Sequence, residues 1–322
     1  MKYRKLGKTG LAVSEIGFGA WGIGGGSASY GPVNDDESKR TLQLAFDNGV
    51  TLYDTADSYG NGHSEELIGE TFKNVRDKII IATKVGCLPH REREMPQDFS
   101  VKYIRQSIEA SLKRLQTDCI DLYQLHSPPV DILASDGFLK TLEDLKKEGK
   151  VKVIGVSARS PDDGLIAVKE YGFGCVQVNF NLIDHRVIEN GLLDIAKREN
   201  VGIIVRTPLC FGFLTGDYSE NTEFAPEDHR LNWPKEQLER WTRSVDLFAS
   251  LCAGKNRTPA QLALRFCLSY EGVSTVIPGM MNRKEVEENV KSSDLEDLSE
   301  EELTTIRRIY ETNVFFDPSL KR

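Results

Sequence analysis

Four side chains suited to acid–base chemistry stand at the ends of apolar runs. Asp54 and Tyr59 lie in TLYDTADSYGNGHSEELIG, Lys84 closes IIIATKVG, and His126 closes DLYQLHSPP. Any one of them alone would be an ordinary solvated strand terminus. Their common placement carries the meaning, because parallel barrel strands bring their C-terminal ends to one rim, where catalytic groups gather. Reducing a carbonyl with hydride puts negative charge on its oxygen, and a nearby acid must deliver a proton there. Tyrosine, with an ordinary pKa of about 10, is a poor acid at neutral pH. A neighbouring ammonium favours the phenolate and lowers that pKa. Lys84 would act so on Tyr59, Asp54 would hold Lys84 charged and oriented, and neutral His126 would donate a hydrogen bond to the carbonyl oxygen. The hydride requires a cofactor, since no side chain supplies one.

The elements that must position these groups alternate. Strand candidates are residues 15–20, 50–55, 78–83, 119–125, 151–157, 175–180, 201–207 and 273–278, mostly apolar on both faces, as parallel strands covered by helices should be. Helical patterns lie between them. SVKYIRQSIEASLKRL, for instance, places apolar residues at 101, 104, 108, 112 and 115. Eight such units predict a closed (β/α)8 TIM barrel, one domain over residues 1–322. A short hairpin, YRKL–KTG–LAVSEI, precedes it. The stretch 208–257 holds a helix too many, QLERWTRSVDLFASLCAG, behind a polar segment that reads as a mobile loop. A C-terminal helix starts with Ser299 and Glu302 at capping-box spacing.

Composition narrows the function. The net charge of -8 and the lack of a basic stripe argue against nucleic-acid binding. No apolar run approaches the roughly 20 residues of a membrane span, and the start MKYRKLGKTGLAVSE has no apolar signal region. The six cysteines form no CxxC pair and read as reduced thiols of a cytoplasmic protein. Five histidines without HxxxH spacing give no metal site. Gly17, Gly19 and Gly22 fit GxGxxG, but the glycine-rich loop GIGGGSASYGPV follows where a Rossmann unit needs a helix. The loop is instead expected to let backbone approach a ligand at the rim.

The motifs DTADSYGNGHSEELIG, IATKVG, LHSPP, GVSARS, VQVNFN and VIPGMMNRKEVEENV, in this order and spacing, resemble those of the aldo-keto reductase superfamily. FGAWGIGG and GPVNDDES resemble its bacterial-type branch, and the resemblance covers essentially the whole chain. It implies an NAD(P)H-dependent barrel with the tetrad Asp54, Tyr59, Lys84 and His126. Among cofactor contacts it places Ala20, Trp21 and Asp54, with Ser157 and Gln177 on the nicotinamide carboxamide. Arg206 stands where many members stack an aromatic ring on the nicotinamide, and a planar guanidinium could stack similarly. Thr207, Pro208, Leu209 and Gly212 would follow the pyrophosphate, with Leu214 and Gly216 where the loop folds over it. Ile277, Pro278, Gly279, Asn282, Glu285, Glu288 and Asn289 match the adenosine segment. Two departures stand out. Ala158 replaces a frequent Asn, and Met281 stands where a basic residue often pairs the 2′-phosphate. Arg283 and Lys284 could substitute, whereas Glu285 would repel that phosphate. NADP(H) is favoured, with NAD(H) or dual use open.

The substrate is expected to be a small carbonyl compound or sugar held by Trp21, Tyr59 and His126. The loop GCLPHREREMP, Trp233, Phe315 and Phe316 would complete the pocket walls. Arg91, Arg93, Arg206 and Arg230 could favour an anionic substrate. Two other functions compete with a reductase: a cofactor-sensing binding or regulatory subunit with little turnover, and a lyase using Lys84 as a Schiff-base nucleophile.

Overall fold

The computed structural model describes residues 1–88, 96–317 and 319. Its strands are β1 (Tyr3–Lys5), β2 (Ala12–Ser14), β3 (Phe18–Gly19), β4 (Leu52–Asp54), β5 (Ile80–Val85), β6 (Ile120–His126), β7 (Val151–Ser157), β8 (Cys175–Asn179), β9 (Gly202–Arg206) and β10 (Val273–Val276). β1 and β2 form the expected antiparallel hairpin, with Tyr3 opposite Ser14. The other eight strands pair in chain order from β3 to β10. Parallel bridges between Ile16 and Val276, and between Gly19 and Gly279, close the sheet on itself. The amides of Gly17 and Gly19 donate across this seam to the carbonyls of Val276 and Pro278, at 2.8 and 2.9 Å. A Cβ on Gly19 would stand 2.6 Å from the Ile277 carbonyl oxygen, so close approach of two backbones is what the glycine provides. The GxGxxG-like run is therefore barrel seam, and Gly22 opens only the short 3-10 turn Gly22–Gly24.

Helices Asp35–Asp47, His63–Phe72, Val101–Arg114, Asp136–Lys147, Pro161–Lys169, Leu192–Glu199 and Pro259–Leu268 cover the outside. Their starts are set by polar side chains that satisfy the first free backbone amides. Asn34 accepts from the Glu37 amide, Ser100 from Tyr103, and Ser160 from Asp163. Lys235–Ser244, after β9, and the C-terminal Glu300–Thr312 stand outside the simple repeat. The latter begins on the capping box of Ser299 and Glu302 that the spacing predicts.

Strand alternation sorts the barrel into two faces. Outward residues such as Tyr53, Ile81, Tyr123, Val156, Val176 and Ile203 join the large core under the helices. Inward residues Leu52, Ala82, Leu122, Cys175 and Ile204 form a separate apolar plug with Ile277 and with Leu6 and Val13 of the hairpin. The hairpin thus stoppers the end where the strands begin. Two residues further along β4, β5, β6 and β8, with the same orientation, come Asp54, Lys84, Gln124 and Gln177. The polar layer stands directly on the apolar one.

The polar segment after β9, expected to be mobile, is tied down. Asp228, His229 and Arg230 are buried in it. Arg230 is held by Asp228 at 2.5 Å and lies over the rings of Tyr30, Tyr218 and Phe224. At the other edge, His185 stacks on Tyr310 of the C-terminal helix, with ring centroids 3.9 Å apart, and on Phe266 at 5.0 Å. Burial pushes the His185 imidazole from its ordinary 6.5 down to about 4. The folded state holds it neutral while the unfolded chain protonates first. Its contribution is therefore present above pH 6.5 and lost as pH falls through about 4. Denaturant midpoints measured across this range should fall less in His185→Phe than in the wild type; parallel curves would contradict the assignment.

Candidate active site

Asp54 ends β4, Lys84 lies one residue before the end of β5, and His126 ends β6. Tyr59 lies on the turn that follows β4. These four residues, drawn from three separate stretches of the sequence, meet at the rim. Lys84 Nζ donates to Asp54 Oδ1 at 2.5 Å, to the Thr55 carbonyl at 2.8 Å and to the Tyr59 hydroxyl oxygen at 3.2 Å. An ammonium has three donors and no acceptor, so all three are committed. The Tyr59 oxygen accepts from Lys84, and its own proton points elsewhere. The Tyr59 and His126 rings meet edge to face with centroids 5.8 Å apart. Lys84 is fully buried and Asp54 is 2 % exposed.

Asp54 is held from its other side. Its Oδ2 accepts from Gln177 Nε2 at 2.7 Å and Gln124 Nε2 at 3.0 Å. Ser157 Oγ donates to Gln177 Oε1 at 3.2 Å. Gln124 was missed by the sequence reading. Its signal is a polar residue two positions before His126, on the inward face of an otherwise apolar strand. Gln97 was missed as well: it donates to the carbonyls of His126 and Ser127, at 3.1 and 2.9 Å.

Two electrostatic forces oppose each other here. Burial pushes the Tyr59 phenol up, and the Lys84 ammonium pulls it down; the net direction is upward. The ammonium alone would lower the pKa, as the sequence suggests, but desolvation outweighs it. Lys84 suffers the same desolvation, yet Asp54 and Tyr59 together raise its pKa, so it stays charged. The turn is fixed by close backbone packing. Gly60 has φ of +58, and a Cβ there would stand 2.1 Å from the Gly24 carbonyl oxygen. The glycine-rich loop therefore approaches the turn that carries Tyr59.

The rim beside β9 and β10 has the features of an anion cradle. Thr207, Cys210 and Phe211 all have positive φ although none is glycine, which concentrates backbone strain after β9. Asn181 and Asn179 hold Thr207 through its carbonyl and its hydroxyl, at 3.0 and 3.1 Å. After β10, Gly279 leaves open space where a Cβ would be. Asn282 then caps the helix Arg283–Lys291. Loops after the last two strands, with a helix N-terminus, form the usual phosphate site of such barrels. Lys284 joins the two segments by an ion pair with Asp217 at 3.3 Å. Pro208, Leu209, Gly212, Leu214 and Gly216 lie on the first segment, and Glu285, Glu288 and Asn289 on the helix. Glu285 accepts from the Met281 amide and from Asn282, both at 2.7 Å, and burial raises its pKa. Arg206 reaches the Ala158 carbonyl at 2.8 Å, while its Nε is buried and has no hydrogen-bond partner among the described residues.

Ala20 is buried, with its amide on the Asp54 carbonyl at 2.8 Å. Trp21 packs against Tyr30, His229 and Phe211. Arg230 is bound by Asp228 and aromatic rings, which removes it as a candidate for anionic substrates. Phe315 turns inward against Phe248, whereas Phe316 is exposed beside Trp233. Arg91 and Arg93 lie outside the described residues. Among the described residues, no group of three or more His, Cys, Asp or Glu is arranged to hold a metal ion, and no helix is long and apolar enough to cross a membrane.

Comparison with known proteins agrees with this fold. The chain is 33% identical over 298 residues to the aldo-keto reductase yakc [NADP(+)] of Schizosaccharomyces pombe, covering 89% of this chain and 85% of that protein. It is 30% identical over 327 residues to the NADH-specific methylglyoxal reductase of Escherichia coli, covering 97% and 99%. The structure of the glycerol dehydrogenase AKR11B4 from Gluconobacter oxydans superposes with a TM-score of 0.82 at 30% identity, over 99% of both chains. The model of the aldo/keto reductase family matches residues 15–311. A closed parallel barrel, a buried Lys–Asp pair against a rim tyrosine and this family match spanning nearly all of the sequence lead to one conclusion: the chain belongs to the aldo/keto reductase family.

Proposed function

We propose that the chain is a cytoplasmic NAD(P)H-dependent oxidoreductase that reduces an aldehyde, ketone or sugar carbonyl to the alcohol, or runs the reverse oxidation. The observation that carries this reading is the set of three donor contacts made by Lys84. They leave the Tyr59 proton pointing away from Lys84 and available to a carbonyl oxygen.

Tyr59 is the general acid. Lys84 stabilises the phenolate that forms as the proton leaves, which offsets part of the cost of burial. Asp54 keeps Lys84 ionised and aimed, with Gln124 and Gln177 fixing its second oxygen. His126, edge-on to Tyr59, donates to the same carbonyl oxygen and sets the angle at which the substrate lies. A bound nicotinamide supplies the hydride. For that group, the buried Arg206 Nε, the strained backbone after β9 and the open backbone at Gly279 are suitable partners. Ser157, Gln177 and Arg206 would hold the nicotinamide end, together with Ala20 and Trp21. Thr207 to Gly216 would follow the phosphates. Ile277, Gly279, Asn282, Glu285, Glu288 and Asn289 would hold the adenosine.

The direct test follows nicotinamide absorbance with a reactive aromatic aldehyde. Wild type should oxidise the cofactor, and Tyr59→Phe should lose roughly 10²–10⁴-fold in kcat, with cofactor affinity retained. Equal rates in both proteins would remove Tyr59 from the role. Tight cofactor binding without turnover of any carbonyl would favour the regulatory-subunit reading. A borohydride-trapped adduct on Lys84 would favour a lyase.

NADP(H) remains the favoured form. The two cations near the adenosine segment each have a carboxylate partner, Lys284 with Asp217 and Arg283 with Glu287 at 3.4 Å. NADPH binding would therefore exchange those partners for the 2′-phosphate. Dissociation constants measured by tryptophan quenching should be lower for NADPH than for NADH; a strong NADH preference would overturn the choice.

A further inference from the structure

Asp57 lies on the same turn as Tyr59, two residues earlier, and no step above uses it. Its side chain is buried, with 7 % exposure for the residue. Its Oδ2 accepts from Ser107 Oγ at 2.7 Å and from the Tyr103 hydroxyl at 3.4 Å, both on the helix Val101–Arg114 outside the barrel wall. Its amide faces the Lys84 carbonyl at 3.4 Å. Oδ1 is buried and has no hydrogen-bond partner among the described residues. Arg114 of that helix, whose charge favours the ionised carboxylate, is committed to Glu65 at 2.7 Å. A carboxyl in this position is expensive to desolvate, and burial pushes its pKa up to about 7 against the favourable Ser107 contact.

The tether is long-range. It joins the Tyr59 turn to a helix 50 residues later in the chain. The turn needs such an anchor. Immediately after Tyr59, Gly60, Asn61 and Gly62 all have positive φ, so the backbone between the tyrosine and the helix His63–Phe72 follows no regular repeat. The Gly24 backbone packs against one side of the turn, and the Asp57 side chain ties it to the helix. The Tyr59 hydroxyl stands 3.2 Å from Lys84 Nζ, at the outer limit of a good hydrogen bond. A shift of about 1 Å would break it, and misplacement of that size can cost about 10²-fold in rate.

We propose that Asp57 is a positioning residue that fixes the Tyr59 hydroxyl against Lys84 by tethering its turn to Ser107 and Tyr103. The kinetic consequence rests on Tyr59 being the proton donor; the geometric one does not. The test uses the full chain with 13Cζ-labelled tyrosine, the Tyr59 resonance being identified by its loss in Tyr59→Phe. Asp57→Ala, and separately Ser107→Ala combined with Tyr103→Phe, should move the Tyr59 resonance. Both should also lower kcat at least about tenfold while the cofactor dissociation constant and the thermal midpoint change little. Asp57→Asn, whose amide oxygen accepts from the same two donors, should restore most of the rate and the resonance position. A Tyr59 resonance unmoved in folded Asp57→Ala and in the double variant would overturn the proposal. So would Asp57→Asn behaving like Asp57→Ala, since charge rather than the tether would then matter. If the wild type turns over no carbonyl, the reductase reading fails on its own, and the resonance still decides the role of Asp57.

Discussion

An ion pair between Lys84 and Asp54, closed off inside the barrel, is the constraint on which the rest of the site depends. Taking two charges out of water costs several kcal/mol for each ion, and their attraction compensates only when geometry is good and the remaining donors and acceptors are satisfied. Here they are. The three protons of Lys84 go to Asp54, Thr55 and Tyr59, and the second oxygen of Asp54 receives Gln124 and Gln177. Gln177 reaches Asp54 from β8, a strand that is not a neighbour of β4 in the sheet, because the sheet closes around them. The pair also requires a dry floor, which the hairpin and the inward apolar residues supply. The same burial that makes the pair rigid raises the Tyr59 pKa. Lys84 is therefore needed both as a fixed point and as a charge.

Much of this organisation is readable in the sequence because it follows periods and strand ends. The eight apolar runs, the hairpin, the extra helix after β9 and the Ser299 capping box correspond to observed elements. Asp54, Lys84 and His126 stand out because each is a polar residue at or next to the end of an apolar run. Gln124 was legible in principle, since it shares the inward orientation of Leu122 and His126 on one strand. Gln97 and Asp57 were not. Each acts through a partner brought near only by the fold, Gln97 on the His126 carbonyl and Asp57 on Ser107 and Tyr103.

Residue type alone misleads where tertiary partners decide. Arg230 reads as a cation for an anionic ligand, yet Asp228 and three aromatic rings absorb it. The segment around it is polar and rich in turn formers, which suggests mobility, but one buried arginine and His229 against Trp21 bind it to the rim. The glycines after β3 suggest room for a ligand. What approaches them is the backbone of the Tyr59 turn. In each case the partner is another part of the chain.

The Lys84 charge holds down the pKa of a tyrosine that burial pushes up. The most direct measurement is the pKa of Tyr59 from a pH titration of its 13Cζ resonance, in the wild type and in Lys84→Met, with Tyr59→Phe assigning the signal. The account predicts a pKa at least about one unit higher in Lys84→Met, since an ammonium within hydrogen-bonding distance is worth roughly that much or more. The same pKa in a folded Lys84→Met protein would contradict it, and the Tyr59 proton would then owe nothing to the ion pair beneath it.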